Sequence, residues 1–504
     1  MFSKAISSNS PINDACTLLM IGKNASNDGS TIMVRTVDFP PNNFFTVKYM
    51  VMNPKDHPIN YKTVTSGCEI KLPENPMRYT QLQFVNREKY GIWGEAGINE
   101  VDVSISATET ISSNERVQGA DPLMKEKGIG EEDFLTVCLP YIKSAKEGVL
   151  RLGSLLETYG TYEMNGVGFQ DENEIWYLET IGGHHWIAKR VPDDAYVINP
   201  NQQGIKEFDL VDAFGEQKNH LCSKDLIDFI KKNNLDLEGK IPVEKNTKFN
   251  ARFAFGSHSD FDHTYNTPRA FITLNYFNPK DFPMDEVNVQ KTFECDNLPW
   301  NYIPEHKITI EEVKNIMSNV FHGTKYDPYS RHGDLSYRGK YRFIGINRTG
   351  ETAITQIRGG VKGENKSIQW VCFGSTPFSC FIPQYIKVSD VPAYLRDTTD
   401  DFVNTETFYW NARLVAALSD SHMQNCRPLL DSFRNEIGAK CMEILNDADE
   451  KIKDVPGTEE KEKFLAETNE RIVKYVKERM GKLLKGVLDV ASNEMKNRYA
   501  RSDA

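Results

Sequence analysis

Cys16, Arg35 and Asp38 are the residues whose types and spacing could carry chemistry in this chain. A thiolate is the attacking species of cysteine hydrolases, and it needs a base to take its proton and a donor to hold the oxyanion it creates. A cysteine at a chain's N-terminus brings its own base, because an α-amino group titrates at about 7.7 to 8.0 and accepts a proton near neutral pH. Cleavage between Ala15 and Cys16 would therefore place nucleophile and base in one residue, without a distant histidine. The bland alternative is that a cysteine ahead of a strand is a small buried hydrophobe, the role expected of the other cysteines.

The elements that must position these residues are legible around them. Residues 1–15 are polar, whereas residues 17–21 form an abrupt apolar run of the kind found in a buried strand. Asn27-Asp28-Gly29-Ser30 is a turn signal, and residues 31–37 read as a second strand. The pair predicts a hairpin with Cys16 at its open end. Side chains alternate along a strand, so Met33, Arg35 and Val37 share one face while Ile32, Val34 and Thr36 take the other. An arginine among apolar neighbours needs a partner, and Asp38, just before Phe39-Pro40-Pro41, is the expected one.

Further strands are predicted at 90–93, 101–107, 175–180, 186–191, 196–198, 341–347, 351–358 and 368–373, with helical spacing over 131–145 and 146–159. From Phe402 the pattern turns helical, over 406–420, 427–447 and 458–498, with Pro456-Gly457 breaking the last two. This order is α+β, with helices covering sheets packed face to face. The expected organisation is a propeptide at 1–15, a hydrolase domain at 16–400 and a C-terminal helical extension at 401–504, the last read as an appendage or interface.

Bulk properties narrow the function. At 504 residues, with 39% hydrophobic and 11% aromatic content, the chain can bury a large core. A net charge of -11 argues against nucleic-acid partners, and the basic residues after Lys440 alternate with acidic ones as solvated helix faces do. No apolar stretch approaches the ~20 residues that span a bilayer, and residues 1–15 lack the apolar core of a secretory signal, so no membrane association and a cytoplasmic location are expected. Nine dispersed cysteines without a CxxC pair support neither a disulfide framework nor a zinc ribbon. His184-His185 and the run from His258 to His263 invite a metal, but neither resembles HExxH, and packing and hydrogen bonding are the expected roles. No metal and no cofactor are expected. Glu95 and Glu109 could form a carboxylate pair; without placement they read as a solvated loop or strand edge.

The words around Cys16 carry a resemblance. Cys16-Thr17-Leu18-Leu19-Met20-Ile21-Gly22-Lys23, then Ala25-Ser26-Asn27-Asp28-Gly29-Ser30-Thr31 and Arg35-Thr36-Val37-Asp38, resemble the start of mature dipeptidase A enzymes. These are N-terminal-nucleophile cysteine peptidases, related to secernins and more distantly to penicillin V acylase and choloylglycine hydrolase. The likeness continues in order through Gly94-Glu95-Ala96-Gly97-Ile98-Asn99-Glu100, Gly182-Gly183-His184-His185-Trp186, Tyr265-Asn266-Thr267-Pro268-Arg269 and Tyr409-Trp410-Asn411-Ala412-Arg413.

The resemblance implies a four-layer αββα sandwich and a small peptide substrate, with homo-oligomerisation left open. It implies that Cys16 supplies nucleophile and base, that Arg35 and Asp38 line the thiol and the substrate amine, that Asn201 donates to the oxyanion and that Arg269 is a second active-site arginine. Thr108 or Glu109 falls at a further substrate-binding position, with the register open by one residue. Many relatives keep only a short peptide before the cysteine, whereas this chain carries fifteen residues that must be removed. An N-acyl amidase of the same fold and a non-enzymatic, secernin-like interaction protein remain as alternatives. The N-terminal residue of the purified protein separates the enzyme from the latter.

Overall fold

A computed structural model describes residues 15–239 and 248–495; of Ala15 and residues 107–109 only the backbone is described. The expected propeptide, up to residue 14, lies outside the described residues.

The hairpin forms as its pattern dictates. Ala15–Ile21 pairs antiparallel with Ser30–Asp38, with Cys16 opposite Val37 and Leu18 opposite Arg35. Gly29 turns the chain with φ +78°, a conformation in which a side chain would be strained, and Asp28 Oδ1 accepts from Ser30 N at 3.0 Å.

Around the hairpin a seven-stranded antiparallel sheet runs in the order Asn301–Tyr302, Tyr196–Asn199, Ala15–Ile21, Ser30–Asp38, Thr349–Arg358, Ser367–Phe373, Ile382–Tyr385. A second, eight-stranded antiparallel sheet runs His220–Cys222, His185–Arg190, Ile175–Ile181, Asn165–Gln170, Ser104–Thr110, Gly94–Asn99, Tyr79–Phe84, Val47–Met52. The sheets touch through polar side chains as well as apolar ones. Gln170 Nε2 donates to the Thr31 carbonyl at 2.7 Å, Thr355 Oγ1 to Gln170 Oε1 at 2.7 Å, and Thr80 Oγ1 to Gln369 Oε1 at 2.6 Å. Buried groups of this kind need partners, so these bonds fix how one sheet sits on the other.

Helices cover the outer faces. Glu131–Cys138 and Ala145–Tyr159 bury Leu135, Val149, Leu152 and Leu156 with Phe169, Trp176 and Leu178 of the eight-stranded sheet. Phe408–Asp420, Met423–Lys451 and Thr458–Asn493 lie over the seven-stranded sheet, and Phe408, Leu430, Ile472 and Val476 share one apolar cluster with Val34, Ile354 and Trp370. Asn469 closes the sheet's edge: its side chain accepts from Tyr385 N and donates to Tyr385 O, both at 2.9 Å, occupying backbone groups that would otherwise invite another strand.

Two expected strands are absent. Tyr90 ends a helical turn, Arg87–Tyr90, and residues 91–93 lead into the strand Gly94–Asn99. Residues 341–347 form a loop, because Arg342 turns inward to a buried carboxylate instead of extending a ladder. The strands Val47–Met52, Tyr79–Phe84 and Asn165–Gln170 carry no pattern singled out above.

Candidate active site

Cys16 is 1% exposed, at the open end of the central hairpin, on the face turned toward the eight-stranded sheet. Arg35, one step along the neighbouring strand and on the same face, places Nη2 3.1 Å from Cys16 Sγ. Its Nη1 pairs with Glu95 Oε2, which enters from the strand Gly94–Asn99 of the facing sheet. Glu95 Oε1 in turn accepts from Trp93 Nε1 at 2.7 Å. Glu351 lies opposite Val37, in the same cross-strand row as Cys16. Burial, and then the Glu95 charge, push its carboxyl well above the usual carboxylate range, against the opposing pull of Arg35.

Asp38 does not pair with Arg35. Three residues along a strand lead to opposite faces, so Asp38 shares its side with Thr36 and Thr17 and points away from the thiol. Arg342 Nη2 pairs with Asp38 Oδ2, Thr349 Oγ1 donates to Oδ1 at 2.5 Å, and Thr36 Oγ1 donates to Oδ2 at 3.3 Å. Burial opposes the charge on Arg342, but Asp38 and Tyr265 outweigh it and hold the guanidinium above its ordinary pKa. Ala15 lies opposite Asp38, so the peptide bond before Cys16 runs beside that residue.

Arg269 ties the elements together. It sits on the helix Thr267–Phe277, and its Nη1 donates to the Cys16 carbonyl and, at 2.9 Å, to Thr17 Oγ1. Its Nη2 donates at 2.7 Å to Asn201 Oδ1 and at 2.7 Å to Asn266 Oδ1. Asn201 Nδ2 donates to the Thr110 carbonyl at 3.0 Å, at the end of the strand Ser104–Thr110. The loop holding Asn201 is anchored to the strand Ile175–Ile181: Glu179 Oε1 accepts from Gly204 N at 2.6 Å, and Gln203 Nε2 donates to Thr180 O at 3.1 Å. Residues 108 and 109 lie on the strand that ends at Thr110, at an irregularity in its pairing; the side chains of Thr108 and Glu109 lie outside the described residues.

The model of peptidase family C69 matches residues 15–436, most of the chain. The chain belongs to peptidase family C69. Among its curated relatives, a dipeptidase of Bifidobacterium longum is 44% identical over 97% of this chain and 100% of its own length. A probable dipeptidase A of Streptococcus pyogenes is 45% identical over 97% of this chain and 98% of its own, and a dipeptidase A of Lactobacillus helveticus is 40% identical over 96% and 98%. These matches bear out the resemblance read from the Cys16 words.

Within this C69 chain, Cys16, Arg35, Asn201 and Arg269 come together, with Asp38 one sheet face away. Glu95, read from sequence as a solvated position, is 2% exposed and is the arginine's counter-charge. Glu351, Arg342 and Asn266 were not singled out as site residues; the only available signal for Asn266 was its place in the word ending at Arg269. His184, His185 and His263 each meet a carboxylate. His184 Nδ1 and His185 Nδ1 both meet Asp121, at 2.9 and 2.7 Å, because the turn at Gly182 brings the two rings to one carboxylate. His263 Nε2 contacts Asp296 Oδ1 at 2.8 Å. Among the described residues no group of three or more His, Cys, Asp or Glu could hold a metal ion, and no helix is long and apolar enough to cross a membrane.

Proposed function

We propose that this protein is a cysteine dipeptidase whose nucleophile, Cys16, becomes N-terminal when the first fifteen residues are removed. The observation that carries the reading is the double grip on Cys16: Arg35 at its sulfur, 3.1 Å away, and Arg269 at its carbonyl, with the latter also holding Asn201. Full-length likeness to proteins named dipeptidases supports the substrate class. We read the two facing sheets and their outer helices as a four-layer αββα sandwich, and the absence of disulfides among the described cysteines supports a reducing, cytoplasmic setting.

In this scheme the thiol of Cys16 first attacks the Ala15 carbonyl carbon. The C–N bond breaks, the nitrogen becomes the free α-amine, and water hydrolyses the resulting thioester to release the leader. In turnover that amine takes the thiol proton and the thiolate attacks the dipeptide carbonyl. Asn201 donates an N–H to the oxyanion, the protonated amine passes its proton to the leaving amine, and water then attacks the acyl-enzyme with the amine again as base. Arg35 favours the thiolate by its charge.

The test is the N-terminus of the purified protein together with dipeptide hydrolysis before and after thiol alkylation, each with and without a chelator. A chain that begins at Cys16, loses activity on alkylation and ignores the chelator is the expected result. A stable chain that keeps its leader yet hydrolyses dipeptides, or activity lost to the chelator and restored by zinc, ends the reading.

A further inference from the structure

A bulge turns a carboxyl toward the thiol. Thr349 pairs with Asp38, and its hydroxyl reaches that carboxylate on the sheet face turned away from the Cys16 side chain. In a regular strand residue 351 would share that face. The pairing instead slips at Gly350, so Glu351 falls opposite Val37 and turns to the Cys16 side. The bulged residue is a glycine because the Phe39 ring packs where its Cβ would stand.

This register brings Glu351 within reach of a substrate at the thiol. Cys16, Val37 and Glu351 form one row across three neighbouring strands, which sets the outer two Cα atoms about 10 Å apart. Arg35 lies on the same face, in contact with the Cys16 sulfur, and its charge acts on Glu351. In a dipeptide the α-carbon alone separates the ammonium from the carbonyl carbon that the thiolate attacks. An ammonium held between the two ends of the row therefore keeps that carbonyl at the sulfur.

The carboxylates of the site differ in what already holds them. Glu95 is engaged by Arg35 and Trp93, and Asp38 by Arg342, Thr349 and Thr36. Glu351 is 2% exposed, and its Oε2 is buried with no hydrogen-bond partner among the described residues. One guanidinium balances one carboxylate, so the Arg35–Glu95 pair leaves Glu351 without a cation of its own. Ionising a buried carboxyl is costly until a cation arrives to pair with it, and a substrate ammonium supplies that cation.

We propose that Glu351 binds the α-ammonium of the dipeptide substrate. The proposal rests on the dipeptidase reading and deepens it by naming the group that recognises a free N-terminus.

The experiment compares steady-state constants for a dipeptide and its des-amino analogue, in which hydrogen replaces the ammonium, in the mature wild type, E351Q and E351D. The wild type is expected to prefer the dipeptide by about 10- to 100-fold in kcat/KM, the range of a charge-assisted hydrogen bond. E351Q, which matches the neutral carboxyl in shape and cannot ionise, is expected to lose most of that preference through KM for the dipeptide. E351D keeps the charge on a shorter arm; it should retain part of the preference and carries the comparison should E351Q fail to fold. A wild type indifferent to the amine, or variants that lose equally on both substrates, overturns the proposal while leaving the dipeptidase reading in place. A wild type that hydrolyses neither substrate ends the parent reading, and this one with it.

Discussion

The Arg35 guanidinium reaches Cys16 Sγ at 3.1 Å from the neighbouring strand while its other end is held by Glu95 of the opposite sheet. The thiol therefore faces a fixed cation. The sign of the local field depends on Glu351, since two ionised carboxylates beside one guanidinium would oppose a thiolate. Burial, and then the Glu95 charge, push the Glu351 carboxyl well above the usual carboxylate range, which favours its neutral form beside the Arg35–Glu95 pair.

This arrangement predicts the reactivity of Cys16. Removing a cation in contact with a thiol raises its pKa by about one to three units. Arg35→Ala should shift the midpoint of Cys16 alkylation upward in pH by that amount. Arg35→Lys should shift it less yet still impair turnover, because a point charge cannot span sulfur and carboxylate as a planar fork does. The rate of carboxamidomethylation against pH, followed by mass at Cys16, is the measurement. An unmoved midpoint in Arg35→Ala would detach the guanidinium from the thiol's ionisation.

Cys16→Ala should abolish both leader removal and hydrolysis, since one sulfur atom is assigned to both attacks. Cys16→Ser should process slowly. Refolding in the absence of other proteases, followed by intact mass, reads the first effect; an alanine variant that still begins at residue 16 would assign processing to another agent.

The hairpin was legible because period-2 alternation and an Asn-Asp-Gly turn are local signals, and local pairing alone sets Cys16 opposite Val37. The partner of Arg35 was not, because it comes from another sheet and no local rule says which strand faces which. The strand that delivers Glu95 was itself hidden by its glycines. A Cβ at Gly97 would run into the Thr80 carbonyl, so close strand packing there demands a residue that sequence rules read as a strand breaker. Arg342 was misread for the converse reason: residues 341–347 were expected as a strand, but the buried Asp38 carboxylate, 304 residues away along the chain, claims the arginine side chain. Asn201 and Arg269 were reachable only through the family words, since nothing in composition links a loop to a helix so far along the chain.

Asp38 has both carboxylate oxygens engaged, Oδ1 by Thr349 and Oδ2 by Arg342 and Thr36, and it sits across from Ala15. Its place across from Ala15 suits orienting the new amine of Cys16 rather than a substrate ammonium. Asp38→Asn should therefore reduce kcat for a dipeptide and for an N-acetylated analogue by the same factor. Loss confined to the free dipeptide would return Asp38 to the substrate site.

Asn201 supplies an amide N–H at the loop beside Cys16, and a preorganised donor to an oxyanion contributes about 10² to 10³ in rate. Asn201→Ala should lower kcat by that factor with KM nearly unchanged. Full turnover in this variant would remove Asn201 from the oxyanion site.

The loop that carries Asn201 is itself predicted to be pH-sensitive, through Glu179. Its Oε1 accepts from Gly204 N at 2.6 Å and Ile205 N at 3.3 Å, yet it is 1% exposed, and burial raises its pKa from the ordinary 4.5 to about 7. The backbone bonds and the charges of Arg252 and Lys189 only partly offset that burial. A folded-state pKa above the unfolded one means that the folded protein holds the proton more tightly. The associated stability is thus fully present below about pH 4.5 and is lost as pH rises through about 7. At roughly 1.4 kcal/mol per unit the loss is on the order of 3 kcal/mol by pH 8. Glu179→Gln keeps an acceptor for both N–H groups and cannot ionise. Its stability relative to the wild type, from denaturant unfolding, should be higher at pH 8 than at pH 5 by an amount of that order. A difference that stays constant between the two pH values would show that Glu179 does not titrate in this range.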